Sequence, residues 1–576
     1  MNLSPKLTVS GLLSCLLLTA CSGNDGHTGI IAVDNKNPVA ANQIIELERI
    51  GRTEIRGFAV SAAEITDFDS KHKRIFTTNA QSGEVDVFSA SDITDPELID
   101  SIDIRQMLVD NSKAANTGLV GATNSVSVHG DLAAIAIEAN PKTDNGWIVF
   151  INTGNLSYVN AVQVGALPDM VTFTPDGKKV LVANEGEPDE GYAHDPEGTI
   201  SVINTSSFAV TNVSFSAFNA AGSRHSELPT DLMVIDGYQA SVAQSLEPEY
   251  ITVSSDNSKA YVTLQENNAV AVVNLADNSI EKIIGLGFKD HSLPGNEMDA
   301  SDKDSGVNLK SWPVMGIYMP DSIANMTYND KTYFLTANEG DSREDFLNDI
   351  SDSTSCINSG YYFSGGKCRD EIRVKDMIDE GMTLSTELQA IDNDANMGRL
   401  KASYFTTKAR NGSTIEKVYA YGGRSFSIWD AETGQQVFDS ANAFELITAL
   451  RYGKDFNNNN DENKGDSRSD DKGPEPEALA VGQINGHTYA FIGLERMGGI
   501  MIYDVSNPYA PEYVQYVNDR DLTVDPGELT DAGDLGPEGF HFVPAQQSPN
   551  SKPLLVVGNE VSGTTSVYQI NVTNLQ

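Results

Sequence analysis

Basic residues are scarce in this chain. Its 576 residues include 39 Lys and Arg against 81 Asp and Glu, which leaves a formal net charge of −42. A nucleic-acid backbone draws basic faces, so that class of partner is disfavoured. What so acidic a chain attracts is cations: metal ions, basic partners, or an anionic substrate bridged by calcium. Histidine is also sparse, with eight residues scattered at no ligand spacing. No Gly-x-Ser-x-Gly elbow, Walker loop, Rossmann fingerprint or His-Glu-x-x-His motif is present, which removes the commonest sequence-readable hydrolase and nucleotide-binding chemistries. A Ser-His-Asp triad assembled from distant segments stays open. Amphipathic helix patterns are nearly missing. Disorder throughout is excluded, because 40% hydrophobic and 21% charged residues are ordinary for a globular protein.

One continuous apolar run stands out, from Gly11 to Ala20. It is too short to cross a bilayer, which takes roughly 20 residues. Its length and the Lys6 ahead of it fit a signal peptide. It ends in Leu18-Thr19-Ala20-Cys21, which resembles the lipobox of bacterial lipoproteins. Residues 1–20 are therefore expected to be a lipoprotein signal peptide, with Cys21 lipidated. Ser22 in place of Asp points to the outer membrane, on its periplasmic or surface face. Residues 21–42, rich in Ser, Gly, Asn and Asp, read as a flexible tether. Of four cysteines, Cys15 leaves with the signal and Cys21 carries lipid. Cys356 and Cys368 remain, an even pair in an oxidising compartment, and read as one local disulfide.

From residue 43 onward the chain consists of short β-like runs between Gly, Asp, Asn and Ser turns. The runs recur in one order. The clearest unit opens with Pro248-Glu249-Tyr250, rises through Ala260–Leu264 and continues in Ala269–Asn274. Units near Val171, Ala478 and Phe540 follow it, with weaker copies near Glu64, Ser125, Asp321 and Lys401. This count is eight, or seven if the interrupted unit between Asp321 and Lys401 is not complete. Serial four-stranded units predict an all-β fold, a β-propeller of seven or eight blades with YVTN/WD-like repeats, spanning 43–576 as one domain. Ile44–Leu47 would supply the strand that closes the ring. Paired β-sandwiches do not repeat four strands so evenly. Long insertions fall at about 214–246, 286–319, 345–397, 440–475 and 511–535.

In a propeller, a residue repeated at one place in the unit becomes a ring. The repeated residues here are acids. Glu185, Glu339, Glu495 and Glu560 end second strands, while Glu249, Asp321, Glu477 and Glu538 follow a Pro at the start of first strands. Converging carboxylates repel one another, and Ca²⁺ is the cation that oxygen-rich carboxylate sites suit best. The alternative is that each acid accepts hydrogen bonds from turn amides of its own blade. Asp455–Asn463 is a second calcium-loop candidate, although it lacks the Gly of an EF-hand. The alternative there is a solvated polar loop. Arg343, Arg424, Arg468 and Arg496 lie near the acids. They are candidates to clamp a phosphate or sulfate, or else simply neutralise their neighbours.

The segments Val182–Pro188, Leu246–Ile251, Gln265–Ala269, Gly287–Ser292, Met319–Ala324, Thr336–Glu344, Arg424–Trp429, Arg468–Glu477 and Gly536–Phe540 resemble the choice-of-anchor I proteins, in order and over nearly all of 43–571. The resemblance implies a secreted propeller-like domain held at the cell surface. Relatives resemble mesenchyme-specific cell-surface glycoproteins and often carry the label alkaline phosphatase, with no agreed catalytic residues to carry over. Two functional expectations follow. One is a calcium-dependent phosphoesterase acting on a small phosphorylated substrate. The other is a non-enzymatic surface protein binding a glycan, peptide or matrix ligand. The chain is expected to be a monomer that meets the membrane only through its lipid.

Overall fold

A computed structural model describes residues 43–575. The signal peptide, the tether and Cys21 lie outside the described residues.

Among the described residues, seven sheets have four strands each, and each is an antiparallel ladder. Six of them run in simple chain order or nearly so. The first strands of the successive blades are Thr66–Asp69, Val120–His129, Pro168–Phe173, Pro248–Val253, Ile323–Tyr328, Pro476–Ile484 and Pro537–Val543. Each neighbours the next, and the last neighbours the first, so together they form the inner wall of a closed seven-bladed β-propeller. Closing the sheets into a ring covers the inner edges that would otherwise recruit further strands.

The seventh blade is completed by the beginning of the chain. Gln43–Arg52 pairs antiparallel with Thr564–Asn574, with Ile45 opposite Val572 and Leu47 opposite Ile570. Ile45 and Leu47 are buried in the core between blades six and seven. The expected closing strand at Ile44–Leu47 is thus in place. Blades one and seven meet tightly: a Cβ added to Gly558 would lie 1.9 Å from the Glu64 carbonyl oxygen. This explains a Gly where blades three and five carry Ala183 and Ala337 before the same Asn-Glu step.

The blade count corrects the larger expectation of eight. The unit beginning near Lys401 is not a blade. Lys401–Ser403 pairs only with Glu371–Arg373 in a two-stranded ribbon. Blade five instead joins Ile323–Tyr328 and Lys331–Asn338 to Ser425–Asp430 and Gln436–Asp439, across an insertion spanning 339–424. That insertion packs with residues 286–319 around its own core of Met298, Trp312, Val314, Ile372, Leu388 and Val418. A disulfide joins Cys356 to Cys368 within it.

Because the strands alternate in direction, the start of each first strand and the end of each second strand lie on the same face. So do the connections between blades and the connection from second to third strand. The long insertions at 215–247, 286–322, 339–424, 440–475 and 518–536 all leave from that face. They cover the end of the channel where the repeated acids stand.

Candidate functional site

The inner strands begin with a deformation that re-aims one residue. Register slips between Pro168 and Met170, Pro248 and Ile251, Pro476 and Leu479, and Pro537 and Phe540. Proline suits a strand's first position because it has no N–H to contribute to the ladder. A bulge there turns the following side chain out of the normal alternation. The residues so placed are Asp169, Glu249, Glu477 and Glu538. In blade two Asn124 occupies the slipped position, between Thr123 and Ser125. Glu64 and Asp321 precede the first strands of blades one and five. The ring is thus six acids and one amide. A second tier stands at the ends of the second strands: Glu185, Gln265, Glu339, Glu495 and Glu560 directly follow theirs, and Glu138 is the penultimate residue of Leu132–Ala139.

These groups feel one another across the axis. Burial pushes the Glu477 carboxyl well above its usual range, and Glu495, Glu339, Glu538 and Asp321 add to the rise. Glu538 is raised by burial and then by Glu64, Glu560, Asp321 and Glu495. Glu249 is raised by burial, Glu266, Glu185, Asp321 and Asp169. Glu185 and Asp321 are likewise raised, by burial first. Glu64 is pushed up to about 8 and Asp169 to about 7, again chiefly by burial. The structure therefore brings all eight predicted acids to one mouth. It adds Glu64, Glu138, Asp169, Glu187, Glu247, Glu266 and Glu475, which the repeat pattern had not singled out. Asp169 was accessible to that pattern, since Pro168-Asp169 matches Pro248-Glu249. Glu64 has no preceding Pro to mark it.

Within the mouth, three carboxylate triads bring an oxygen from each member within 4.8 Å of the others: Glu339, Glu475 and Glu495; Glu185, Glu247 and Glu266; and Glu64, Glu538 and Glu560. They differ in compensation. In the first, Lys472 reaches Glu339 at 2.7 Å and Glu475 at 3.3 Å, Arg468 reaches Glu475 at 2.6 Å, and Arg496 reaches Glu475 at 3.2 Å and Glu495 at 3.0 Å. These cations outweigh burial and hold the Glu475 carboxyl at about 2. In the second, Arg343 pairs with Glu247 and with Asp236 at 3.0 Å, and lies 3.9 Å from Glu266. The third has no Lys, Arg or His in ion-pair contact among the described residues; Ser61 Oγ donates to Glu560 at 2.7 Å.

The four predicted anion-binding arginines are engaged with the protein. Arg343 also donates to the Ser245 carbonyl. Arg424 is buried against Glu445 at 2.8 Å and donates to the Asp299, Ser469 and Asp471 carbonyls. Arg468 is shared between Glu475 and Asp471, and Arg496 also donates to Asn460 Oδ1.

The uncompensated side opens into a cavity of about 360 Å³. Seven carboxylates line it: Glu64, Glu138, Asp169, Glu185, Glu187, Asp321 and Glu538. Asn124, Ser61, Ser125 and Tyr250 add neutral polar atoms, and no Lys, Arg or His lines it. Lys142 pairs with Glu187 from outside the lining. Glu538 Oε2 and Glu249 Oε2 are buried with no hydrogen-bond partner, and Glu249 is only 6% exposed. A donor set dominated by carboxylate oxygens fits a hard divalent cation and not a soft one.

The choice-of-anchor I domain model matches residues 64–508, about three quarters of the chain. The chain belongs to the choice-of-anchor I family. The match runs from blade one to the third strand of blade six, Ile500–Asp504, and stops short of the seventh blade. Membership makes this a cell-surface or exported protein with a propeller domain, and no described helix is long and apolar enough to cross a membrane. Among curated proteins, this choice-of-anchor I chain is 34% identical to Gigasin-3a of Magallana gigas over 194 residues, 32% of this chain and 68% of that one. It is 29% identical over 329 residues to the mesenchyme-specific cell surface glycoprotein of Strongylocentrotus purpuratus, 52% of this chain and 41% of that one. It thus spans less than half of the sea-urchin protein. Similar solved chains include Kuenenia stuttgartiensis hydrazine synthase, with TM-score 0.40 and 11% identity over 90% of this chain and 97% of that one. The β-propeller domain of Myceliophteria thermophila Cps50 (Swd1) matches with TM-score 0.40 and 6% identity over 92% and 100%.

Proposed function

We propose that the acidic mouth holds a divalent cation, calcium before other metals, and that the protein is an exported, lipid-anchored binding propeller whose ligand is engaged at that loaded face. The observation that carries this reading is the cavity lined by seven carboxylates and no base. Charges so gathered must be protonated or neutralised by a cation. The carboxylates nearest Glu538 have no internal base to do it. Calcium accepts six to eight oxygens in irregular geometry, as carboxylates from different blades would present them. The ligand class favoured is a glycan, peptide or matrix component with oxygen donors that complete the cation's shell. The lipid on Cys21 would hold this face at the outer membrane.

A calcium-dependent phosphoesterase is the weaker reading. It needs a cationic clamp for the phosphoryl oxygens. The arginines that could form one are spent on Glu247, Glu445, Glu475 and Glu495. When bound, the cation would supply Lewis acidity.

The test is calcium binding by the chain beginning at Ser22, stripped with chelator and followed by calorimetry. Glu64→Gln with Glu538→Gln should weaken binding at least tenfold. Wild-type affinity in that variant would refute the site. Phosphomonoester and phosphodiester turnover, lost on chelation and restored by calcium, would favour the enzyme instead.

A further inference from the structure

The three carboxylate triads are one motif, repeated at alternate blade boundaries. Glu185, Glu339 and Glu560 directly follow the second strands of blades three, five and seven. Glu247, Glu475 and Glu64 stand just ahead of the first strands of blades four, six and one. Each boundary thus pairs two equivalent acids, and a third joins them with oxygens within 4.8 Å. Two of the triads already hold a basic side chain of this chain. Arg343 enters the one between blades three and four, against Glu247. Lys472 enters the one between blades five and six, at 2.7 Å from Glu339 and 3.3 Å from Glu475. The Glu64–Glu538–Glu560 triad, between blades seven and one, receives none among the described residues.

The place of the missing base is marked in the sequence. Lys472 precedes Glu475 by three residues, and Ser61 precedes Glu64 by three. Lys472 Nζ donates to Glu339 at 2.7 Å, and Ser61 Oγ donates to the equivalent Glu560 at 2.7 Å. Ser61 therefore makes the lysine's contact with a much shorter side chain. It lines the cavity of about 360 Å³ together with Glu64 and Glu538.

Two buried oxygens in this part of the mouth have no donor. Glu538 Oε2, in the triad itself, is one. Glu249 Oε2 is the other, on a residue only 6% exposed. After burial and Glu266, the groups that raise the Glu249 carboxyl are Glu185, Asp321 and Asp169, and all three line the cavity. A primary ammonium carries three donors on a flexible stem, so it supplies hydrogen bonds and charge to such oxygens together.

We propose that the Glu64–Glu538–Glu560 triad is a socket for a lysine side chain of a partner polypeptide, whose ammonium stands there as Lys472 stands between blades five and six. The net charge of −42 draws basic partners toward the protein. Blades one and two carry no long insertion, so a partner segment can reach the socket from their side. The proposal names the ligand class for the face assigned above and rests on that face being the binding surface. It does not require calcium there, and the seven carboxylates lining the cavity outnumber the charges of one calcium ion.

The experiment is fluorescence anisotropy with a labelled peptide of alternating glycine and lysine, at physiological ionic strength and in chelator. Wild type should bind it about tenfold or more tightly than the same peptide with every lysine acetylated. Ser61→Lys, which supplies the ammonium from within, should weaken binding by about tenfold or more, and so should Glu64→Gln with Glu560→Gln. Glu46→Gln with Glu512→Gln removes the same charge from exposed strand positions and should stay within about twofold of wild type. Wild-type affinity in folded Ser61→Lys would overturn the socket, as would equal weakening in the Glu46/Glu512 variant. If Ser61→Lys does not fold, the Glu64/Glu560 variant decides alone. Cadaverine binding as tightly as the peptide would overturn the assignment to a partner polypeptide, since a free amine would then suffice. Calcium calorimetry on the same preparations separates the two readings. Calcium bound without peptide binding overturns the socket alone, and peptide bound without calcium binding overturns the calcium site alone.

Discussion

Glu475 offers the sharpest test of how the mouth holds itself together. It is 0% exposed and is met by Arg468 at 2.6 Å, Arg496 at 3.2 Å and Lys472 at 3.3 Å. Burial alone would raise its carboxyl. Lys472, Arg468 and Arg496 instead bring it from 4.5 to about 2. At neutral pH that displacement is worth about 3 kcal/mol of folding stability. Glu475→Gln keeps the shape and removes the charge, leaving three half-buried cations short of one partner. The expected loss is about 3 kcal/mol, the lower edge of what breaking a buried ion pair costs. Spread over a propeller of ~500 residues unfolding as one unit, at ~2 cal/mol/K per residue, this lowers Tm by about 3 °C. The pH dependence has a definite sign. A depressed carboxyl contributes its stability above the unfolded value near 4.5 and loses it as pH falls through about 2. The gap between wild type and variant should therefore be full at pH 6–7 and shrink to about 1 kcal/mol at pH 3. Urea unfolding at both pH values measures it directly. A loss under about 1 kcal/mol at pH 7, or a gap that does not narrow by pH 3, would contradict this account of Glu475.

The mouth's other side should behave oppositely in chelator. Glu64, raised from 4.5 to about 8, binds more protons folded than unfolded, so chelated protein should lose stability as pH rises from about 4.5 to 8 and calcium should flatten that fall. A Tm that climbs across this window without calcium would contradict it. Cys356→Ser with Cys368→Ser removes a cross-link closing a 12-residue separation, worth about 3 kcal/mol to the local segment. Hydrogen exchange should rise at 353–369 while the blades keep their protection. Deleting residues 43–52 removes the strand paired with Thr564–Asn574 and should open the ring, seen as aggregation or loss of the cooperative transition. Cys21→Ser in the intact precursor should abolish incorporation of radiolabelled palmitate and release the protein from the membrane fraction.

The sequence carried the blades because each blade is local. Pro248-Glu249, Ala260–Leu264 and Ala269–Asn274 lie within one short stretch, so turn residues and alternation reveal them together. The same locality misled the count at Lys401. Lys331–Asn338 pairs with Ser425–Asp430 only after an insertion spanning 339–424, and the two-stranded ribbon inside that insertion resembles the start of a further blade. The acids were legible wherever Pro or Asn marked the position. Which carboxylates lie within 4.8 Å of one another was not, because Glu185, Glu247 and Glu266 meet through folding of the 215–247 insertion and not through the repeat. The arginines were legible as neighbours of acids. Only three-dimensional pairing shows where their nitrogens go.

Compensation around the ring follows from where the insertions lie. Every base that balances a mouth triad comes from the insertion side: Arg343 from 339–424, Arg468 and Lys472 from 440–475, and Arg496 from the turn of blade six beneath it. Blades one and two have no long insertion. They are linked by residues 104–119, with the helix Ile104–Asp110 and the 3-10 turn Thr117–Leu119, and blade two passes to blade three almost directly at Leu167. The cavity opens on this bare side, lined by residues of blades one, two, three and seven with Tyr250 and Asp321 at its edge. The repeat supplies acids all round, while the insertions supply bases to only part of the circle. The remaining arc is left with carboxylates, space and one base, Lys142 of blade two, which pairs with Glu187. On the proposed reading a cation from solution would bind there, and the insertions would determine which part of a nearly symmetric ring becomes a binding site.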